Sequence, residues 1–161
     1  MAQLKFREDH TVISVVAIHR GKVLSDAVSP ATDIARVIPL PAVALRSGLS
    51  IVTNHALAIR IFNDLGSTVV ANTDDEFAAL QAAGCIMGHF YKTCETSGVW
   101  LQSHGVESDA AAKYVSGFFK TVIAEAANRA ENQQDGVGGF SDLVKEQTPG
   151  GLNEGVIKEM T

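Results

Sequence analysis

Short apolar runs alternate with amphipathic segments along the first 72 residues of the chain. Aliphatic and β-branched residues cluster in four runs that predict buried strands, at residues 12–17, 36–38, 49–53 and 67–71. Apolar residues at helical spacing predict one helix at residues 19–28 and another that Asn54 caps and Gly66 closes. Successive strand–helix–strand units favour a parallel sheet. With two helices to cover it, a four-stranded sheet of this kind is half of a larger structure.

The pattern changes at Thr73, after which helical periodicity continues almost to the end of the chain. Thr73 and Glu76 have the spacing of a capping box and predict a helix that runs on to about His104. Ser108 is expected to cap a second long helix, and a polar connection at residues 131–139 precedes two short helices. The predicted fold class is therefore α/β then all-α, with residues 1–72 forming one part and residues 73–161 the other.

The long helices carry more apolar surface than one chain can cover. Their apolar stripe comprises Phe77, Leu80, Met87, Phe90, Tyr91, Tyr114, Phe118 and Val122. A helix of about 28 residues is a rod of roughly 40 Å, which is longer than a small domain is wide. The stripe therefore needs apolar partners on more faces than this chain can provide.

Composition and charge exclude several classes of protein. Hydrophobic residues make up 46% of the 161 residues and charged residues 19%, which is typical of a folded globular chain. The net charge is −5 and no run of Lys or Arg occurs, so neither nucleic acid nor an anionic membrane is expected as a partner. The first ten residues have no apolar signal core, and the longest apolar run is too short to span a membrane.

The two cysteines are expected to be reduced. Cys85 and Cys94 are nine positions apart on the predicted helix, which places them on opposite faces. They cannot bridge each other, and a cytoplasmic location follows as the expectation. Cys85 and His89, at positions i and i+4, could hold a metal or form a dyad, but no third or fourth ligand stands at a suitable spacing. A core thiol beside a half-buried imidazole is the favoured interpretation.

Three further segments have functional alternatives. Residues 136–139, Gly-Val-Gly-Gly, lack the spacing of a phosphate loop and are interpreted as a helix connector. The proline-locked turn at Pro39 and Pro41 is either a rigid edge turn or a cofactor contact, because ligands bind at the carboxyl ends of parallel strands. Residues 148–153, Thr-Pro-Gly-Gly-Leu-Asn, are either an ordinary turn or a set of free backbone N–H groups that suit a carboxylate.

These segments stand in the order of motifs from a known enzyme family. Residues 12–17 resemble its Val-Ile-Ser-x-x-Ala-Gly strand, residues 36–41 its Arg-x-Met-Pro-Asn-Thr segment, and residues 148–151 the start of its Ser-Pro-Gly-Gly-Thr-Thr turn. The chain thus resembles the carboxyl-terminal part of pyrroline-5-carboxylate reductases, which use NAD(P)H to reduce a cyclic imine to proline. The resemblance implies a partial Rossmann parallel sheet followed by a helical dimerisation domain.

The resemblance also implies roles for individual residues. NADP or NAD is the implied cofactor, with Ala17, Pro39 and Leu40 lining the nicotinamide. Substrate contacts are expected from Gly84 and Tyr91 on the long helix, and from a partner subunit through Pro149, Gly150, Gly151 and Asn153. His89 is the expected acid, because histidine is the side chain that titrates near neutral pH. The implied partners are a second copy of the chain, which forms a homodimer through the long helices, and a small imino acid.

The chain departs from the family at several positions. No counterpart of the Gly-x-Gly-x-x-Gly turn that holds the pyrophosphate is present, which implies a truncated polypeptide or a second chain that supplies it. Leu40, Phe90 and Leu152 stand where the family has polar residues, and Gln81 begins the segment matching its Ser-Gly-Ser-Gly-Pro. Two alternatives therefore stay open: a non-catalytic oligomerisation module, and a related hydroxy-acid dehydrogenase.

Overall fold

Four strands form one sheet in a computed structural model that describes residues 4–132 and 136–160. The strands are β1 (Thr11–Ser14), β2 (Asp33–Pro39), β3 (Gly48–Thr53) and β4 (Gly66–Ala71), and they lie in sequence order. Helix α1 (Gly21–Val28) connects the parallel pair β1 and β2, and α2 (Ala56–Asn63) connects the parallel pair β3 and β4. The strand–helix–strand prediction is confirmed for both pairs.

The central pair, β2 and β3, is antiparallel, and here the all-parallel prediction is wrong. A parallel crossover needs a connection of about a dozen residues or more. Residues 40–47 are fewer and contain only a 3₁₀ helix, Pro41–Leu45. The chain therefore turns back, and the amino ends of β3 and β4 lie at the same edge of the sheet as the carboxyl ends of β1 and β2.

The two faces of the sheet are covered by different helices. On one face Ala35, Val37 and Val52 pack against Ala58 and Phe62 of α2 in a buried apolar cluster. Helix α3 (Asp74–Gly84) packs against β3 and β4, and its Phe77 is completely buried. This second helix completes the small core that the first half of the chain builds.

The caps of α2 and α3 differ in detail from the prediction. The side chain of His55, rather than that of Asn54, caps α2 by accepting a hydrogen bond from the backbone N–H of Ala58. At α3 the predicted cap is confirmed, since Thr73 Oγ1 accepts from the backbone N–H of Glu76 at 3.1 Å. The carboxylate of Glu76 reaches back one residue further than expected, to the backbone N–H of Asn72 at 2.8 Å.

The single long helix predicted between Thr73 and His104 is in fact two helices. Helix α3 ends at Gly84, Cys85 is a turn residue, and α4 (Ile86–Ser103) begins directly afterwards. The backbone N–H of Cys85 bonds to the carbonyl of Ala82 at 3.1 Å, which is a tightened, 3₁₀-type turn. Glycine is a weak helix former, and Gly84 beside this turn lowers the cost of interrupting the helix.

The remaining helices are α5 (Ser108–Glu131), α6 (Gly138–Lys145) and α7 (Leu152–Glu159). Ser108 is already helical and Glu107 is the N-cap, so the predicted cap is wrong by one residue. Residues 133–135 of the predicted connection at 131–139 lie outside the described residues. Within the described ranges, no helix is both long and apolar enough to cross a membrane.

The chain forms two compact units, one ending at Met87 and one beginning at Gly88. The first unit includes α3, because that helix packs on the sheet. The first residues of α4 belong to it as well. The expected functional division at residue 72, between a cofactor-binding segment and a dimerisation domain, stays a prediction. The predicted order, an α/β part followed by an all-helical part, is confirmed.

Candidate functional site

The carboxyl ends of β1 and β2 bring the predicted cofactor-binding residues to one edge of the sheet. Ser14, the last residue of β1, is paired with Arg36; Ala17 follows three residues after Ser14, and Pro39 three residues after Arg36. Strand β1 ends earlier than predicted, at Ser14, whose hydroxyl accepts a hydrogen bond from the backbone N–H of Val16 at 3.4 Å. Ala17 consequently lies in an exposed turn, while Pro39 ends β2.

Leu40 continues this edge beyond Pro39. Its backbone N–H donates to the carbonyl of Leu49 at 2.9 Å, and the side chain is half-buried. Leu40 also begins the 3₁₀ helix that turns the chain into β3. The three residues expected around a nicotinamide thus share one edge of the first unit, and their role as ligands stays a prediction.

Helix α3 adds to this edge the side chain of Gln81, which the sequence alone does not predict as a site residue. The Nε2 atom of Gln81 donates to the backbone carbonyl of Ala17 at 3.2 Å, across 64 positions of sequence. Gly84 follows one helical turn later, and a Cβ added there would meet no atom within 4 Å. The one available signal was the alignment of Gln81 with a serine in the motif of the resembling family.

Arg36 joins the sheet to α3. Its guanidinium carbon lies 4.1 Å from the centroid of the Phe77 ring, and Nη1 lies 3.9 Å from Oδ1 of Asp74. Burial lowers the pKa of Arg36 from its ordinary value, and Asp74 opposes this shift while Arg20 adds to it. The group stays charged nonetheless. Its Nε atom is buried and has no hydrogen-bond partner among the described residues. The guanidinium–ring contact positions α3, and with it Gln81.

The opposite edge of the sheet holds a polar cluster of Thr11, Asp33 and His55. The Thr11 hydroxyl donates to Asp33 Oδ2 at 2.5 Å, and Asp33 Oδ1 lies 3.0 Å from Nε2 of His55. Because Nδ1 of His55 accepts from the N–H of Ala58, Nε2 carries the proton that it donates to Asp33. These hydrogen bonds, above all the one from Thr11, hold the pKa of Asp33 below its ordinary value.

The cluster is unsuited to nucleophilic catalysis. A nucleophile is activated when the base contacts it and a third group orients the base. Here Asp33 stands between the other two, so His55 takes its hydrogen bond from Ala58 and gives one to Asp33 rather than to Thr11. The arrangement ties β1, β2 and α2 together.

Two predicted site residues lie on α4 in the second unit. His89 is exposed, and its imidazole has no hydrogen-bond partner in the part of the chain that the structure describes. Tyr91 is 57% exposed beside Phe90, whose ring packs edge-on against Phe119 at 5.1 Å between centroids. Both side chains are therefore available to a ligand or a partner.

The thiol of Cys85 belongs to the first unit and is exposed, so the expected core thiol is wrong for this residue. Its Sγ lies 3.6 Å from the carbonyl oxygen of Gln81, one helical turn back. No group of three or more potential metal ligands occurs within residues 4–132 and 136–160. The structure thus offers no further ligands for a metal held by Cys85 and His89.

The Pro149–Gly150–Gly151 turn is formed, but its amides are not free. Gly150 has a φ of +73°, which favours glycine, and its N–H donates to Oε2 of Glu154 at 2.8 Å. The N–H of Gly151 donates to the carbonyl of Thr148 at 2.9 Å. The expectation of unpaired N–H groups at these two residues is therefore wrong, because the first turn of α7 supplies its own carboxylate.

Two neighbouring interactions complete this turn. The pKa of Glu154 is lowered first by the N–H of Gly150 and second by Lys158, which lies 3.1 Å away. The Nδ2 atom of Asn153 donates to Oε1 of Gln147 at 3.1 Å. A substrate carboxylate at the turn would have to compete with Glu154 for the same backbone donor.

In the segment of residues 136–139, Gly139 serves helix packing. A Cβ on Gly139 would lie 2.8 Å from the backbone of Arg129, so the glycine permits α6 to approach α5 closely. Arg129 also makes a two-point ion pair with Glu146, at 2.9 and 2.8 Å. This geometry supports the connector interpretation over a phosphate loop.

Helices α4 and α5 present an apolar groove of about 380 Å³. Trp100, Tyr114 and Phe118 line it and are 58%, 62% and 50% exposed. Aromatic side chains of this size are enriched in protein interfaces. Tyr114 and Phe118 of the predicted helix stripe thus remain half-exposed or more in the second unit, whereas Phe77 of the same stripe is buried in the first.

The comparisons with known proteins identify the fold. No protein-family model and no curated protein match the sequence. Among solved structures, pyrroline carboxylate reductase of Plasmodium falciparum with NADP bound has a TM-score of 0.69 and 17% identity, covering 93% of this chain and 60% of that one. The Streptococcus pyogenes 1-pyrroline-5-carboxylate reductase has a TM-score of 0.71 and 21% identity, covering 98% and 61%. The Coxiella burnetii pyrroline-5-carboxylate reductase has a TM-score of 0.59 and 21% identity, covering 86% and 52%.

These matches confirm, at the level of fold, the resemblance found in the sequence. The chain shares the fold of part of these reductases, a partial Rossmann sheet followed by helices. It spans between 52% and 61% of the length of these reductases.

Proposed function

We propose that the chain forms the nicotinamide-binding and substrate-binding part of an NAD(P)H-dependent reductase that acts on a cyclic imino acid such as pyrroline-5-carboxylate. The observation that carries this proposal is the carboxyl edge of β1 and β2. There Gln81 contacts Ala17 near the open space at Gly84, and Pro39 ends β2. Ligands of open α/β sheets bind at such an edge. The shared fold with three reductases agrees with this assignment.

The residues present fit one end of the cofactor better than the other. A backbone carbonyl and a side-chain amide at the edge match the hydrogen-bonding groups of a nicotinamide carboxamide. The 161 residues contain no Gly-x-Gly-x-x-Gly turn, so they offer no matching cradle for the pyrophosphate. Residues outside this sequence, in the same or another polypeptide, would supply it.

The chemistry divides between cofactor and protein. The cofactor, when bound, supplies a hydride to the carbon of the imine. His89 would donate a proton to the ring nitrogen, since its exposed imidazole is free of other hydrogen bonds among the described residues. Tyr91 would hold the substrate carboxylate together with Asn153 and the Pro149–Gly151 turn of a second copy, in which Glu154 is displaced from Gly150.

A homodimer through α4 and α5 is part of the proposal. The aromatic groove at Trp100, Tyr114 and Phe118 gives this face the composition of an interface. The same face favours the second candidate, a non-catalytic oligomerisation module that assembles with a nucleotide-binding partner. The two candidates differ in whether the chain itself binds a nicotinamide.

Ligand binding separates the two candidates. Reduced nicotinamide mononucleotide and NADPH would each be titrated against the pure chain, with the fluorescence of the nicotinamide as the signal. A chain that holds only the nicotinamide end binds both saturably and with similar affinity, because the adenosine half finds no site. Saturable binding of neither nucleotide would refute the reductase proposal and support the oligomerisation module.

The acid role of His89 has its own test. His89→Ala, in the complete enzyme that includes a pyrophosphate-binding part, should lower kcat by about 10²-fold or more. His104→Ala, in the turn directly after α4, is the matched control and should leave kcat unchanged. Equal kcat values for all three proteins would remove this role.

The dimer is tested by sedimentation. Phe118→Asp places a charge in the aromatic groove and should convert the protein to monomers. Phe140→Asp is the control, since Phe140 is a comparably exposed phenylalanine on α6, at 46% against 50% for Phe118. Monomeric wild-type protein at micromolar concentration would overturn the dimer.

A further inference from the structure

Gln81 makes a tertiary contact that its position on an exposed helix does not require. Its side chain is half-buried, while Ala82, Ala83 and Gly84 after it are exposed. The Nε2 atom donates to the carbonyl of Ala17 at 3.2 Å. The helix that carries Gln81 is held on the sheet by the buried ring of Phe77.

This contact leaves two hydrogen-bond acceptors side by side. With Nε2 committed to Ala17, the Oε1 atom of Gln81 has no partner among the described residues. The carbonyl oxygen of Ala17 retains a second lone pair, because a backbone carbonyl can accept two hydrogen bonds. Both oxygens belong to the carboxyl edge of β1, beside the open space at Gly84.

A primary amide is the chemical group that matches this pair. Its NH₂ carries two donors, one for each oxygen. We propose that Gln81 is a specificity-determining residue for the nicotinamide, whose carboxamide N–H groups donate to Gln81 Oε1 and to the Ala17 carbonyl. This inference rests on the proposed function. In it, Gln81 fixes the rotational orientation of the nicotinamide ring at this edge of the sheet.

The test compares two probes that need no pyrophosphate site. One is reduced nicotinamide mononucleotide, and the other is its 3-acetylpyridine analogue, in which a methyl ketone replaces the carboxamide and removes both donors. Two neutral hydrogen bonds at about 1 kcal/mol each correspond to roughly a 30-fold preference of the wild-type chain for the carboxamide. Equilibrium dissociation constants for both probes give this ratio directly.

Substitutions at Gln81 should reduce the ratio selectively. Gln81→Ala removes one acceptor and should lower the preference to about fivefold. Gln81→Asn is one methylene shorter, cannot span the distance to Ala17, and should act in the same direction. Gln102→Ala is the matched control, since Gln102 is an exposed glutamine on α4 in the second unit. It should keep the wild-type ratio, and circular dichroism verifies that each variant is folded.

The outcomes separate this inference from the function it rests on. Binding of both probes without a preference, or the same preference in wild type and Gln81→Ala, would overturn the role of Gln81 and leave the reductase proposal standing. Failure of every protein to bind either probe would overturn both. A preference that falls in the two Gln81 variants and persists in Gln102→Ala supports the assignment.

Discussion

Truncation of Phe77 to alanine should destabilise the protein more than truncation of any other phenylalanine in the first unit. It should also cost more than truncation of a half-exposed phenylalanine in the second unit. Phe77 is completely buried between α3 and the sheet, and its ring lies 4.1 Å from the guanidinium carbon of Arg36. Truncation of a buried phenylalanine to alanine costs about 3–5 kcal/mol. The free energy of unfolding of a domain is only about 5–15 kcal/mol, so Phe77→Ala should remove a large part of it.

The guanidinium contributes a separate part of this loss. A cation above an aromatic ring is worth about 0.5–1 kcal/mol at the surface and about 2 kcal/mol when desolvated. The Arg36 side chain is 9% exposed, which places this contact toward the desolvated end of the range. Phe77→Leu keeps most of the apolar volume and removes the ring. A double-mutant cycle of Phe77→Leu with Arg36→Met should therefore give a coupling energy of about 1–2 kcal/mol.

Urea unfolding followed by circular dichroism measures these changes, and hydrogen exchange of the β2 and β3 amides localises them to the first unit. Phe140→Ala is the matched control, because its ring is 46% exposed on α6 and belongs to the second unit. It should cost less than half as much as Phe77→Ala. A cost for Phe77→Ala no greater than that of the control would refute the argument that this ring holds α3 on the sheet.

Two further predictions concern charge and close packing. Since the pKa of Asp33 is lowered, first by Thr11 and then by His55, its stabilising contribution is present above the ordinary value of 3.8 and is lost as pH falls through the folded value. Asp33→Asn should remove that part of the acid dependence of unfolding, and an unchanged acid limb would contradict the assignment. A Cβ at Gly139 would lie 2.8 Å from the backbone of α5, so Gly139→Ala should lower the melting temperature. Gly117→Ala, with nothing within 4 Å in the middle of α5, should stabilise by about 0.5–1 kcal/mol, and the reverse order of melting temperatures would show that the packing argument is wrong.

Most of the first unit could be predicted because its signals are local. The four strands and the Thr73 cap are each predicted from residues that are close together in the sequence, and the structure contains each of them. The antiparallel β2–β3 pair was missed although its signal was available, since residues 40–47 are too few for a crossover. The turn at Cys85 was missed because the apolar period runs through it without a change of phase.

The candidate site was less predictable because its contacts are tertiary. Ala17 and Pro39 could be placed at one edge from the order of the strands alone. The contact of Gln81 with Ala17 spans 64 positions and leaves no periodic trace in the sequence. The role of Glu154 could not be predicted for a different reason. The Pro-Gly-Gly turn suggests a site for the carboxylate of a ligand, but the carboxylate of Glu154 already accepts the N–H of Gly150.

The reversal of direction between β2 and β3 has a consequence for engineering. It keeps the connecting segment at the edge where the nicotinamide is proposed to lie, instead of sending it across a face of the sheet. Most of that segment is exposed, Leu45 by 80%, whereas Gly48 at its end is locked against Val43. Sequence libraries confined to residues 41, 42 and 44–46 could therefore reshape this edge while the strand ladder and the apolar cluster under α2, with Val43 packed against it, keep their native residues.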